Sequence, residues 1–250
     1  MNENKQNIRL WAIVVWLIVW QIASICIGSD ILLVSPVHVL MRLAQMTTEA
    51  IFWRSIGFTL LRIAAGFFLA WLLGCLLAVL AFTFVRVREL LAPLMLTIKS
   101  VPVASFIILA LIWFSSRNLA ILISFLMVLP IIYTNVLDGL RAVDGKLLEM
   151  ARVFRIPPLR RMRFIYLPQV MPFMLTGCRV GLGLCWKAGV AAEVIGMPRG
   201  SIGERLQQAK VYLDTPDMFA WTVVIVLISV IFEKLVLALL KAFARQLEKG

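Results

Sequence analysis

Six long apolar runs organise the chain, at 8–27, 55–84, 92–114, 119–137, 170–195 and 219–240. Each approaches or exceeds the roughly 20 residues that a helix needs to cross a ~30 Å hydrocarbon core. Alternation at period 2, the mark of barrel strands, is missing. The pattern predicts an all-α polytopic membrane protein with six spans. The first run, preceded by Lys5 and Arg9, is too long for the apolar part of a signal peptide, and no small-x-small cleavage site follows it. It reads as an uncleaved first helix. The second run would be about 45 Å long as a helix, so it must tilt or project beyond the membrane. In it Gly66, Ala70, Gly74 and Ala78 recur every four residues. Such a stripe lets a second helix approach closely, from within the chain or from a second copy.

The intervals between runs are not alike. After the first, Ser35-Pro36 looks like a helix start, with proline at the first helical position. Val37, Leu40, Leu43 and Ala44 follow at helical spacing, which predicts a short helix on the outer surface carrying an exposed His38. Residues 1–54 thus form a first span and an outer amphipathic segment, and 55–250 a core of five spans. The interval 138–168 stands apart. It carries seven basic residues, Arg141, Lys146, Arg152, Arg155, Arg160, Arg161 and Arg163, and two amphipathic pieces around Pro157-Pro158. Two partners suit it physically: a groove in another protein or anionic lipid headgroups.

Composition agrees with the pattern: 62% hydrophobic, 15% charged and a mean hydropathy of +0.97. The net charge of +12 would suggest nucleic acid in a soluble protein. Here it reads as the excess of Lys and Arg retained on the cytoplasmic side. With both termini inside, Lys5, Arg9, Arg86, Arg88, the seven of the interval, Lys241, Arg245 and Lys249 fall on that side. Only Arg42, Arg54, Arg117, Arg199, Arg205 and Lys210 fall outside. Cys26, Cys75, Cys178 and Cys185 all lie in apolar runs with no metal-ligand or disulfide spacing, and Cys178 and Cys185 share a helical face suited to packing. No phosphate-cradling GxxxxGK[ST], no HExxH and no GxSxG is present, so no cofactor site is expected in this chain.

The interval has a further pattern. Glu149-x-Ala151 followed by Ile165-x-Leu167-Pro168 resembles, with the same spacing, the EAA loop of ABC importer permeases, E-A-A, three residues, G, nine residues, I-x-L-P. Ala192-Glu193-Val194-Ile195-Gly196 with Gly200-Ser201-Ile202-Gly203 resembles the nitrate/sulfonate/taurine/bicarbonate branch. Pro102-Val103-Ala104 and Leu111-Ile112-Trp113-Phe114 also look like that branch. Two positions depart: Met150 replaces the second Ala, and Arg155 stands where the family has a turn glycine. An arginine there is strained if the backbone needs positive φ, and Pro157-Pro158 could displace the bend.

The resemblance implies a type I, binding-protein-dependent importer subunit in the bacterial cytoplasmic membrane. It implies a second permease chain, cytoplasmic ATPase subunits that bind the ATP and Mg, and an extracytoplasmic binding protein. The coupling positions would be Glu149, Ala151, Phe154, Arg155, Ile165 and Pro168. Glu149 would meet a basic residue of the ATPase, Ala151 would allow close approach, and Phe154 would fill an apolar spot. A small anionic solute is the expected cargo. Charged side chains within spans usually face the interior or water, so Lys187, Lys99 and Glu193 are candidates for the translocation pathway. The alternatives are local: Lys99 reaching the inner interface, and Lys187 pairing with Glu193 or a carbonyl. Two other classes remain at this level. One is the transmembrane component of an energy-coupling-factor vitamin importer, for which only Met150-Ala151-Arg152 argues. The other is a stand-alone secondary transporter, which would usually show an internal repeat and buried acids.

Overall fold

The computed structural model describes residues 10–29 and 31–249. Among them the chain is helical, with no strand. Lys5 and Arg9 lie outside the described residues. Helix α1 (Leu10–Ile27) is apolar on nearly all sides. Helix α2 (Pro36–Met46) starts as its sequence predicts: Pro36 takes the first turn, and the Ser35 hydroxyl accepts the His38 N–H at 3.3 Å. His38 is exposed. Of its apolar residues, Val37 and Leu40 are exposed while Val39 and Met46 are buried. The buried face meets Ala220, Trp221 and Val224 of the last helix, in a small separate core.

Helix α3 (Ala50–Thr83) starts five residues before the predicted second span. At about 51 Å it exceeds a bilayer core and must tilt. Its small-residue stripe serves packing within the chain: Gly66, Ala70, Gly74 and Ala78 are all buried. A Cβ on Gly66 would stand 2.5 Å from the carbonyl oxygen of Ile121, so only glycine permits this approach.

The predicted third span, 92–114, is not one helix. It is α4 (Val85–Ser100) and α5 (Val103–Trp113), bent by 105°. Pro102 supplies no N–H to continue α4, and its ring drives Val101 into extended backbone, φ −76° and ψ 131°. Helix α6 (Ser116–Arg141) is the central element, buried along much of its length against α3 and α9. After α7 (Gly145–Val153) and α8 (Pro158–Arg161), the chain passes through a π-helical turn, Met162–Tyr166, into α9 (Leu167–Gly196). Cys178 and Cys185 are fully buried on α9, as their shared face predicts. The interval after α9 holds α10 (Ile202–Val211). Helix α11 (Thr215–Lys249) closes the chain.

Three helices, Ala50–Thr83, Ser116–Arg141 and the stretch Thr215–Ala242, are long and apolar enough to cross a membrane, and the bent α4–α5 pair makes a fourth candidate. Helix α9 is as long but carries Arg179, Lys187 and Glu193.

Candidate functional site: the projecting segment and the interior of helix α9

The segment 144–168 is closed at its base. The Asp144 carboxylate accepts the Lys146 N–H at 2.9 Å and so caps α7, while the Asp144 backbone N–H donates to Gln169 Oε1 at 3.0 Å. Both ends of the segment are thereby fixed beside the first turn of α9. Helix α7 then ends in a Schellman turn. The Ile156 N–H reaches the Ala151 carbonyl at 2.9 Å, and the Arg155 N–H the Arg152 carbonyl at 3.0 Å. Arg155 occupies the left-handed position of that turn, with φ 52°. The bend therefore falls where the motif has glycine, and Pro157-Pro158 does not displace it. Pro158 opens α8 instead.

The π turn also has a local cause. Pro168 has no N–H to give to the Phe164 carbonyl four residues back, and its ring would strike that oxygen. The preceding turn widens, and the Leu167 N–H reaches Met162 five residues back. Tyr166 then stacks edge-on against Phe82 of α3, ring centroids 6.0 Å apart, which anchors the segment to the bundle.

The six coupling candidates divide into two groups. Ala151 and Ile165 are buried within the chain. The small side chain of Ala151 is thus taken up by the segment itself. Glu149, Phe154, Arg155 and Pro168 are exposed. At the tip, Phe154 is 73% exposed and Leu159 83%, and Val153 beside them is exposed as well. Leu159 was not among the residues singled out from sequence.

Within the bundle the three pathway candidates also separate. Lys187 is exposed on a strip of α9 that includes Arg179 and Gly183. Lys99, at the end of α4, donates to the Thr134 hydroxyl of α6 at 3.4 Å. Glu193 has no exposed surface. Its Oε2 accepts the Thr59 hydroxyl of α3 at 2.7 Å and the Gly203 N–H of α10 at 3.3 Å. The Thr59 oxygen in turn accepts the Ile202 N–H at 3.0 Å, and Ser201 caps the Glu204 N–H at 2.9 Å. The first N–H groups of α10, which no helical carbonyl can satisfy, are thus held by α3, α9 and the cap. Gly203 lies so close to Glu193 that any Cβ would overlap it. The A-E-x-I-G and G-x-G passages are therefore two halves of one contact. Thr59 was the unforeseen third member, because its run reads only as apolar helix. Lys187 and Glu193 point to different surroundings and make no pair.

A second tie links α2 and the chain before it to α11. Arg42 of α2 is hydrogen-bonded to Asp217 of α11, a contact that raises the arginine pKa above its ordinary value. The Thr215 hydroxyl donates to the Ile31 carbonyl at 2.9 Å.

Long apolar helices, a bent pair and a pinned basic segment that projects from the bundle define a multi-span helical membrane protein. The comparison with known proteins makes this specific: the chain belongs to the family of binding-protein-dependent transport system inner membrane components, whose model matches residues 70–249. It is 27% identical over 214 residues to the putative aliphatic sulfonates transport permease protein of Bacillus subtilis, covering 84% of this chain and 77% of that one. It is 29% identical over 220 residues to the taurine transport system permease protein of Escherichia coli, covering 86% and 80%. With the bicarbonate transport system permease protein of Synechococcus elongatus it shares 28% identity over 148 residues, 59% and 53% of the two chains. The chain is an ABC importer permease of the type I class, in the sulfonate/taurine/bicarbonate branch. These relatives are permease components rather than enzymes.

Proposed function

We propose that this chain is the membrane-spanning half of an ATP-driven importer for a small anion, paired with a second permease chain. Counting α1, α3, the α4–α5 pair, α6, α9 and α11 gives six crossings with both termini in the cytoplasm, the arrangement that keeps the basic segment 144–168 inside. Cytoplasmic ATPase subunits, which would bind the ATP and Mg, receive that segment, and an extracytoplasmic binding protein delivers cargo to the side that carries α2 and α10. The observation that carries this reading is the pinned segment itself. It is closed at the base by Asp144 and Gln169, bent rigidly at Arg155, and exposes Phe154 and Leu159 at its tip. A short rigid helix with an apolar tip fits a protein groove. Glu149 lies exposed on α7, available to a basic residue of the groove.

The cargo class rests on two supports. The relatives are named for sulfonates, taurine and bicarbonate. Lys187 is a cation within a span on a face of α9 left open by this chain, where charge is costly unless water or a counter-ion reaches it. Lys187 draws the anion through. Lys99 holds the α4 end at Thr134, and Glu193 acts by fixing α10 at the outer side.

Reconstitution of the purified complex in proteoliposomes tests the reading. Glu149→Lys should leave the permease in the membrane and ATP hydrolysis measurable, while uptake per ATP falls. Uptake at the unaltered rate would remove Glu149 from coupling. Co-purification with an ATPase and a binding protein is expected; isolation with neither would point to a carrier.

A further inference from the structure

Helix α3 carries Arg62 well inside its apolar length. From Arg62 to the end of the helix at Thr83 is about 31 Å, close to a ~30 Å hydrocarbon core. Arg86 and Arg88 follow directly beyond that end. Arg62 therefore falls at the opposite boundary of the core, where headgroups begin. Its guanidinium is held in place. Nε donates to the Arg117 carbonyl of α6 at 2.7 Å, Nη1 donates to the Phe58 carbonyl at 3.3 Å, and the group lies 3.4 Å over the Phe58 ring. The N–H groups of Nη2 find no acceptor among the described residues. Arg117 is exposed, and its side chain makes no hydrogen bond or ion pair among the described residues. The Glu193 carboxylate, whose field also reaches Arg62, is fully buried and bonded to Thr59 and Gly203.

On the core side of these two arginines, α3 and α6 leave an apolar groove of about 630 Å³. Leu69, Leu72, Leu73 and Leu76 of α3 and Phe125 of α6 line it. Asn118, next to Arg117, is the one polar residue among those that line it. Leu69 to Leu73 lie about 10–16 Å along α3 from Arg62, the depth of one leaflet of a ~30 Å core. No lining residue belongs to α9, so the groove is separate from the strip that carries Lys187. Any hydrocarbon of a bilayer can fill such a groove, because lipid chains are as apolar as leucine. The arginines set which one is preferred. Two cations at the core boundary, with donors still open, select a molecule whose tail fills the groove and whose head is an anion. The apolar helix α1 of a second copy could cover the leucines, but it has no charged residue to meet the arginines.

We propose that the α3–α6 groove binds an anionic phospholipid, with its phosphate on Arg62 and Arg117 and one acyl chain along Leu69, Leu72 and Leu73. The bound lipid would bridge α3 and α6 beside their close approach at Gly66 and Ile121.

Native mass spectrometry of the detergent-purified protein, full chain and with any subunits that accompany it, tests the proposal. The sample is exposed to mixed micelles of phosphatidylglycerol or phosphatidylcholine. The native protein should retain phosphatidylglycerol over phosphatidylcholine. Arg62→Gln and Arg117→Gln should each lower retention of phosphatidylglycerol about fivefold, the effect of one cation at an anionic surface, and leave that of phosphatidylcholine unchanged. Arg62→Lys keeps the charge and should hold most of the retention, which keeps the test open if Arg62→Gln does not assemble. Lys210→Gln, in α10 and away from the groove, should change nothing. Equal retention of the two lipids by the native protein, or undiminished phosphatidylglycerol in both charge-removing variants, overturns the site. Displacement of the lipid by millimolar glycerol phosphate overturns the lipid assignment in favour of a soluble anion. A cross-link between chains that joins Leu72→Cys to Trp16→Cys would seat α1 of a second copy in the groove and overturns it as well. These outcomes are read from binding alone, so they stand apart from any result on transport or coupling.

Discussion

Replacing Arg155 by glycine should tighten the projecting segment. Arg155 has φ 52°, in the left-handed region, where the Cβ of an L-residue crowds the following carbonyl at a cost of roughly 1–2 kcal/mol. Glycine carries no such cost, but its freedom in the disordered chain takes back roughly 0.5–1 kcal/mol. The net gain is about 0.5–1 kcal/mol, a two- to fivefold change in a local opening equilibrium at ~0.6 kcal/mol per RT. The amides to watch are those of Arg155 and Ile156, whose hydrogen bonds to Arg152 and Ala151 close the turn. Hydrogen–deuterium exchange of the peptide covering 150–160, in the assembled complex, should slow by that factor in Arg155→Gly. Arg155→Val, branched at Cβ, should accelerate it, because β-branched residues tolerate positive φ least. Unchanged exchange in both variants would mean that the turn lies elsewhere, with the Pro157-Pro158 pair as the next place for it.

Three further outcomes follow from contacts. Thr59→Val removes the hydroxyl that links Glu193 to the Ile202 N–H, leaving buried polar groups short of partners at about 1–3 kcal/mol each; limited proteolysis in the 197–214 region should become faster, and unchanged cleavage would refute the tie. Gly66→Ala places a Cβ 2.5 Å from the Ile121 oxygen and should lower thermal stability in detergent by about 1–3 kcal/mol of overpacking; an unshifted unfolding midpoint would show that α3 and α6 pack less closely. Lys187→Met should preserve assembly and reduce uptake at low substrate about tenfold, the lower end of what a focusing charge supplies; uptake at the native rate would take Lys187 out of the pathway.

What the sequence made legible were features enforced by one residue and its neighbours. Ser35-Pro36 starts a helix through one hydroxyl and one fixed φ, and it does so here. The motif spacing placed the bend at Arg155 because the Schellman hydrogen bonds are local, and the side chain was overridden rather than the backbone. The break at Pro102 was harder. Residues on both sides are apolar, so hydropathy is the same for a straight span and one bent by 105°. Which face of α2 meets protein was not readable for a related reason: Val37 and Leu40 recur at helical spacing yet are exposed, while Val39 and Met46 are buried, and periodicity alone does not choose between them. Thr59 was invisible because its significance comes from Glu193 and Ile202, more than 130 residues away.

Helix α9 joins the two best-defined sites of the molecule. Its first turn is continuous with α8 through the π turn, and its last turn carries Glu193, locked to α3 and α10. Thirty residues of helix span about 45 Å. Pro172 withholds one N–H from its ladder and the rest of the helix is continuous, so a force on the projecting segment reaches α10 unless something along the way yields. The weakest register is Met162–Tyr166, where Pro168 has already displaced the hydrogen bonds by one residue. Phe82 braces that turn through Tyr166, and Gln169 braces it through Asp144. Both braces act on the segment's base rather than its tip. The arrangement therefore presents Phe154 and Leu159 on a segment whose base holds α9 at a fixed angle. Stiffness is concentrated at the junction between the segment and the bundle, where a push on one must become a displacement of the other.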